Sequence, residues 1–148
     1  DVHHGNGTES IFWEDASVLY TSLHQYPHYP GTGRAGDRGA GVGEGTTLNV
    51  PLPEGTDGRR WLEALDAQVM PALGSFGPDL VVISAGYDAH AADPLAGLRL
   101  DSETYRSVAS RIGNLTGPTG SVWVLEGGYH LDALSASVAA TLEGLLHG

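Results

Sequence analysis

The 148-residue chain contains no cysteine. That excludes disulfides, a thiolate zinc site and a cysteine nucleophile. Basic residues are scarce as well. Seven Lys and Arg stand against 18 Asp and Glu, leaving a net charge of −11. Nucleic acid and anionic membranes both need a basic face, so neither is expected as a direct partner. No apolar run approaches the roughly 20 residues that cross a bilayer. No basic n-region precedes an apolar h-region, so no signal peptide is expected in this stretch and a cytoplasmic setting is expected. Charged residues make up only 17%, against 41% hydrophobic. That balance suits a chain with much of itself buried, as in a central parallel sheet. The length fits one domain or part of one.

What the chain does contain begins at its first residue. Asp1-Val2-His3-His4-Gly5-Asn6-Gly7-Thr8 sets a carboxylate and an imidazole one spacer apart. Hard oxygen with borderline nitrogen suits zinc. Further ligands must come from later in the chain.

The periodicity gives an order of elements. Gly7 to Trp13 reads as a short helical turn with Thr8 as its cap, and Ser17 to Leu23 as a β-branched and aromatic strand. A long loop follows, broken by Pro27 and Pro30, and seven of the fifteen residues from Gly31 to Gly45 are glycine. A loop of this length in a compact domain is usually functional. It is no phosphate-binding loop, because no Gly-Lys-Ser/Thr follows. Its Gly41-x-Gly43-x-Gly45 run precedes a strand, so it is no dinucleotide fingerprint. Thr46 to Leu52 reads as a strand ended by Pro51 and Pro53. Asp57 opens a helix whose apolar face is Trp61, Leu62, Leu65, Val69, Leu73 and Phe76, kinked or divided by Pro71. After a turn at Gly77-Pro78-Asp79, Leu80 to Ser84 reads as a strand covered on both faces. Asp101 caps a helix presenting Tyr105, Val108, Ala109, Ile112 and Leu115, and Gly117-Pro118 ends that connection. Ser121 to Leu125 reads as another buried strand. Leu131, Leu134, Val138, Leu142 and Leu145 line the last helix.

Alternating strands and helices from Thr46 onward imply right-handed crossovers and a parallel sheet with helices on its faces. Ligands bind such sheets beyond the carboxyl ends of the strands. Asp1/His3, Asp88 and Tyr129 all fall at strand ends, so the topology is expected to bring them to one edge. Asp1, His3 and Asp88 would make three ligands with an open fourth position, the arrangement of catalytic zinc. A metal there would polarise a substrate carbonyl and bring the pKa of a water toward about 7. The Tyr129 hydroxyl, after two glycines, would hydrogen-bond the developing oxyanion, worth on the order of 3 kcal/mol. No general base stands out after Thr8. His24, His28, His90, His130 and His147 read as lone surface or capping histidines.

These segments resemble the zinc-dependent histone deacetylase family. The match rests on Asp-Val-His-His-Gly-Asn-Gly-Thr at residue 1, Ser-Ala-Gly-Tyr-Asp-Ala-His-x-x-Asp-Pro-Leu-Ala-Gly-Leu from Ser84, and Leu-Glu-Gly-Gly-Tyr from Leu125. Pro-Gly-Thr-Gly from Pro30 and Leu-Asn-Val-Pro-Leu-Pro from Leu48 add to it. Glu126 is closer to the class II and bacterial branch, which includes acetylpolyamine amidohydrolases. The resemblance implies a three-layer α/β fold of the arginase/deacetylase kind, mainly parallel, with helices on both faces. It implies Asp1, His3 and Asp88 as zinc ligands and Tyr129 as the group that polarises the acetyl carbonyl. Tyr29 would be one wall of the acyl-lysine tunnel, and Gly128 would line its floor. A potassium ion (K+) would take Asp1, the Ser22 hydroxyl and the carbonyls of His3 and Leu23. A weaker ion site would use carbonyls near Phe12, Asp15 and Val18. His4 would stand behind the ligands. The implied substrate is an acetyl-lysine protein or peptide, or an acetylpolyamine.

One feature of the family pattern is missing. Its general base belongs to a second His-His pair in a Gly-His-His segment upstream, which Asn6 would help to orient. The 148 residues are therefore expected to be the C-terminal portion of a single deacetylase domain. Alone they are expected to bind zinc weakly and turn over little. Two other readings compete. A di-manganese ureohydrolase would need further clustered ligands, for which Asp93 and His90 are the candidates. A truncated or degenerate binding module would keep the fold without the chemistry.

Overall fold

The computed structural model describes residues 1–117 and 120–147. Pro118, half of the expected Gly117-Pro118 stop, lies outside them. The elements run α1 (Asn6–Ile11), β1 (Tyr20–Gln25), β2 (Thr47–Leu52), α2 (Gly58–Ala64), α3 (Met70–Phe76), β3 (Val81–Ala85), α4 (Ser102–Thr116), β4 (Ser121–Leu125) and α5 (Leu131–His147).

Both strand pairings are parallel. β1 runs beside β2 from Tyr20 opposite Thr47 to Gln25 opposite Leu52. β3 runs beside β4 from Val81 opposite Ser121 to Ala85 opposite Leu125. Among the described residues these are two separate pairs rather than the one sheet expected from Thr46 onward. Residues 1–3 bridge them. Gln25 N–H donates to the Val2 carbonyl at 2.9 Å. On the other side the Asp1 nitrogen donates to the Gly86 carbonyl at 3.0 Å and Val2 N–H to Asp88 Oδ1 at 2.7 Å. Val2 is fully buried and belongs to the central core with Val50, Leu65, Val69, Val81, Leu98, Leu100 and Ile112.

Local chemistry explains most element ends. Asp57 Oδ1 accepts from Arg60 N–H and Asp101 Oδ1 from Thr104 N–H, so both carboxylates cap their helices as expected. Pro71 cannot donate to the turn before it, and the helix passes through a π-helical turn at Leu65–Val69 between α2 and α3. Gly77 closes α3 in the left-handed conformation, φ 65°.

Several expectations need correction. Thr8 is not a cap: α1 starts at Asn6, preceded by Gly5, and Thr8 sits inside it. β1 starts at Tyr20 rather than Ser17, because Ser17 folds back in a turn onto Asp15 Oδ1. Pro51 lies within β2 rather than ending it. β2 has only β1 as neighbour among the described residues, so a missing N–H is tolerated on its other side. Within the described residues β3 and β4 bury Val81 and Ala85 and leave Val82 62% and Val124 47% exposed. α5 does not bury its leucine stripe. Leu131 and Leu142 are exposed, and the buried residues are Ala133, Ser137, Ala140, Thr141 and Gly144. That small-residue face lets α5 lie close against α4, with the Ser102 and Ser137 hydroxyls 3.1 Å apart. No described helix is long and apolar enough to cross a membrane.

Candidate metal centre

The site is built on a local turn: Asp1 Oδ1 accepts from His3 N–H at 2.7 Å, which sets the carboxylate beside the His3 ring while Val2 between them is buried in the core. His3 Nδ1 stands 3.1 Å from Asp1 Oδ1. The loop after β3 brings Asp88 to the same place, with its Oδ2 3.1 Å from His3 Nδ1. One ligand atom from each of Asp1, His3 and Asp88 lies within 4.8 Å of the others, and this is the one such group among the described residues.

The two oxygens of Asp88 differ. Oδ1 accepts from Val2 N–H, which pins the metal-facing segment to the loop. Oδ2 is buried and has no hydrogen-bond partner, since His3 Nδ1 is within reach but misaligned. A buried carboxylate oxygen left without a partner is costly unless a cation completes it. The backbone leaves space for such an ion. A Cβ on Gly86 would fall 2.5 Å from Asp1 Oδ2, and one on Gly127 would strike Asp88 Oδ2. Two carboxylates and one imidazole form a donor set suited to a hard or borderline divalent metal, zinc included. The residues present therefore fit the ion that the sequence implies.

The other expected residues are distributed around this centre. The Tyr29 ring stands edge-on to the His3 ring, centroids 6.2 Å apart. Tyr129 follows β4 and is 56% exposed, and its N–H donates to Asp93 Oδ2 at 2.7 Å. Gly128 lies between Tyr87 and Leu134, and the glycine that abuts the carboxylates is Gly127. Ser22 Oγ is 2.9 Å from His24 Nδ1. Asn6 is exposed, and its backbone N–H donates to the His4 carbonyl. His4 is buried behind the cluster, with Nδ1 2.8 Å from Thr32 Oγ1 and Nε2 3.2 Å from Glu9 Oε2.

Two histidines read as surface residues are not. His28 stacks on the His3 ring, centroids 5.2 Å apart. Only its place one residue before Tyr29 in the long loop hinted at this. His24 is fully buried in β1. Its Nε2 faces the Gly33 carbonyl at 2.9 Å, so Nε2 carries the proton and Nδ1 accepts from Ser22. Burial holds this imidazole below its ordinary pKa, against the opposing pull of the Gly33 carbonyl. Sequence could have flagged His24 through its inward position in β1. His130 Nδ1 accepts from Ala133 N–H at the start of α5, and His90 Nδ1 from Ala92 N–H. His130 is thus a capping residue as expected, while His90 closes a turn in the loop after β3. Burial also raises Tyr20 to about 12, and it raises Tyr105 well beyond the ordinary phenol range, helped by the charge of Asp88.

The fold and this centre define a class: a parallel α/β protein with an acid–imidazole cluster, fit for a divalent ion, at the carboxyl ends of its strands. The histone deacetylase domain family matches residues 1–145. Histone deacetylase 10, chloroplastic, of Oryza sativa subsp. japonica is 48% identical over 99% of this chain and 34% of its own length. Acetylpolyamine amidohydrolase 1 of Pseudomonas aeruginosa is 39% identical over 97% of this chain and 42% of its own length. The crystal structure of the HDA15 HD domain superposes with a TM-score of 0.95 at 42% identity, covering 99% of this chain and 42% of that one. The chain belongs to the histone deacetylase family and has its α/β fold. It spans well under two thirds of the length of the curated relatives it matches.

Proposed function

We propose that the protein is a zinc-dependent amidohydrolase that removes acetyl groups from an acetylated amine, either a lysine side chain or a polyamine. The observation that carries this is the Asp1, His3 and Asp88 cluster, with its buried, unpartnered Asp88 Oδ2 beside His3 Nδ1. A zinc ion held there would supply Lewis-acid polarisation of the amide carbonyl and a lowered pKa for an attacking water.

The chain's own residues would do the rest. The Tyr129 hydroxyl would donate to the oxygen that gains charge as the carbonyl is attacked. Tyr29, edge-on to His3, would flank the apolar stem of the acylated amine, and Gly128 would leave room beneath it. His4, held by Glu9 and Thr32, would keep the segment carrying His3 in place. Asp1 and Ser22, with neighbouring carbonyls, would serve a potassium ion. The 148 residues would be the C-terminal portion of one larger deacetylase domain, with the proton-accepting histidine pair upstream and little turnover without it. A cytoplasmic setting belongs to the same proposal.

The ureohydrolase alternative needs a second metal. Among the described residues the one three-ligand group is Asp1, His3 and Asp88, and neither Asp93 nor His90 joins it; the Asp93 oxygens accept from the N–H groups of Leu95 and Tyr129 instead. The test is an assay of the full-length, zinc-loaded protein on an acetyl-lysine peptide and on an acetylpolyamine. Acetate release from either is expected, with loss in Asp88→Ala. Full activity in that variant would refute the ligand assignment.

A further inference from the structure

The expected site residues leave Asp93 without a role. It is 7% exposed, an unusual position for a carboxylate. Its Oδ1 accepts from Leu95 N–H at 3.0 Å. That is an ordinary two-residue Asx turn. Its Oδ2 does something a local turn does not need: it reaches 36 residues along the chain and accepts from Tyr129 N–H at 2.7 Å.

The surroundings make this a strap. Tyr87 N–H donates to the Gly127 carbonyl at 2.7 Å, so the loop after β3 grips the loop after β4 on either side of Gly128. Gly128 itself has φ +132°, and a Cβ there would crowd Leu134 and Tyr87 at 3.0 and 3.2 Å. The peptide between the two grips is therefore confined to one path. Tyr87 and Asp93 stand on the same loop as Asp88. Tyr129 is 56% exposed within these 148 residues, and Asp93 is what holds its backbone there.

We propose that Asp93 is a positioning residue for Tyr129, holding the tyrosine backbone in register with Asp88 so that hydroxyl and metal address the same carbonyl. This rests on the proposed deacetylase reading. A charge-assisted bond from a buried carboxylate to one N–H is stronger than a neutral one. Misplacing a catalytic group by about 1 Å can lower a rate on the order of 10²-fold. Asp93 touches neither substrate nor metal, and its effect passes through Tyr129.

The test uses the full-length protein with Asp93→Ala and Asp93→Ser, each alone and combined with Tyr129→Phe. Serine can keep the local turn to Leu95, but it is too short to reach Tyr129, so it separates the strap from the loop fold. Backbone hydrogen exchange of the 126–131 segment, zinc content and kinetics are measured. In both variants Tyr129 N–H is expected to exchange about tenfold faster. Zinc content and KM should hold while kcat falls about 10–100-fold. In the Tyr129→Phe background either change should cost less than about twofold, because the hydroxyl it positions is gone. Unchanged protection of Tyr129 N–H, or the same fractional loss of kcat with and without the hydroxyl, overturns the proposal. If the wild-type protein hydrolyses no acetylated amine, the functional reading falls, and the exchange measurement alone then decides whether Asp93 holds the Tyr129 backbone.

Discussion

Replacing Glu9 probes how the segment carrying His3 is held. Glu9 Oε2 accepts from Asn49 Nδ2 at 2.5 Å and lies 3.2 Å from His4 Nε2. His4 is 3% exposed and Asn49 2%, and Asn49 Oδ1 already lacks a partner. Glu9→Ala would therefore strip two buried side chains of an acceptor at once. Each unsatisfied group costs about 1–3 kcal/mol. Part of that is returned because a mostly buried carboxylate is also removed. Glu9 also borders an open groove with Ser10, Trp13 and Thr32, through which water can reach the vacated space. The net loss is expected at about 2–4 kcal/mol. Glu9→Gln behaves differently. Its carbonyl oxygen can still accept from Asn49, and its amide can donate to His4 Nε2 in the tautomer whose Nδ1–H faces Thr32. It should cost less than about 1 kcal/mol. Urea unfolding followed by circular dichroism measures both, with the midpoint shifting at constant slope. An alanine variant within about 0.5 kcal/mol of wild type, or a glutamine variant as damaged as alanine, would refute the reasoning.

Three further outcomes follow from the same geometry. Tyr129→Phe should lower kcat on the order of 10²–10³-fold with zinc content unchanged, read by steady-state kinetics and metal analysis. Stability should fall as pH drops from about 7 to about 5. His24 is held neutral when folded but takes up a proton near its ordinary pKa of about 6.5 when unfolded, so the folded state binds fewer protons in that range and gains stability as pH rises. His24→Gln should flatten part of that slope in urea midpoints measured across the range, and an identical slope in both proteins would contradict the assignment. Ser137→Leu should cost about 1–3 kcal/mol or more by overpacking the α4–α5 contact, where Ser137 is fully buried beside Ser102, and thermal unfolding would show it.

How much was legible in the sequence depended on how local each determinant was. Asp57 and Asp101 announce their helices because a cap is decided within three residues. Pro71 announces its disruption because the missing donor is its own. That residues 1–3 hydrogen-bond to both strand pairs was not legible, since three residues are too few to carry a strand pattern. The face of α5 was misread for another reason. A leucine stripe at helical spacing suggests a core, yet close approach to α4 is open only to the face of Ala133, Ser137, Ala140 and Gly144. For the site, the chemistry of the donor set and its placement at strand ends pointed to Asp1, His3 and Asp88, and the structure brings these three together. What sequence could not show is how unequal the roles within one side chain are. Asp88 spends Oδ1 on the Val2 backbone and keeps Oδ2 for the centre, and Asp93 divides its oxygens between Leu95 and Tyr129. Both divisions depend on partners at least 36 residues away, where spacing carries no signal. Each carboxylate thus ties a piece of the proposed machinery to the backbone of another segment. Loss of either should therefore disturb geometry as well as charge.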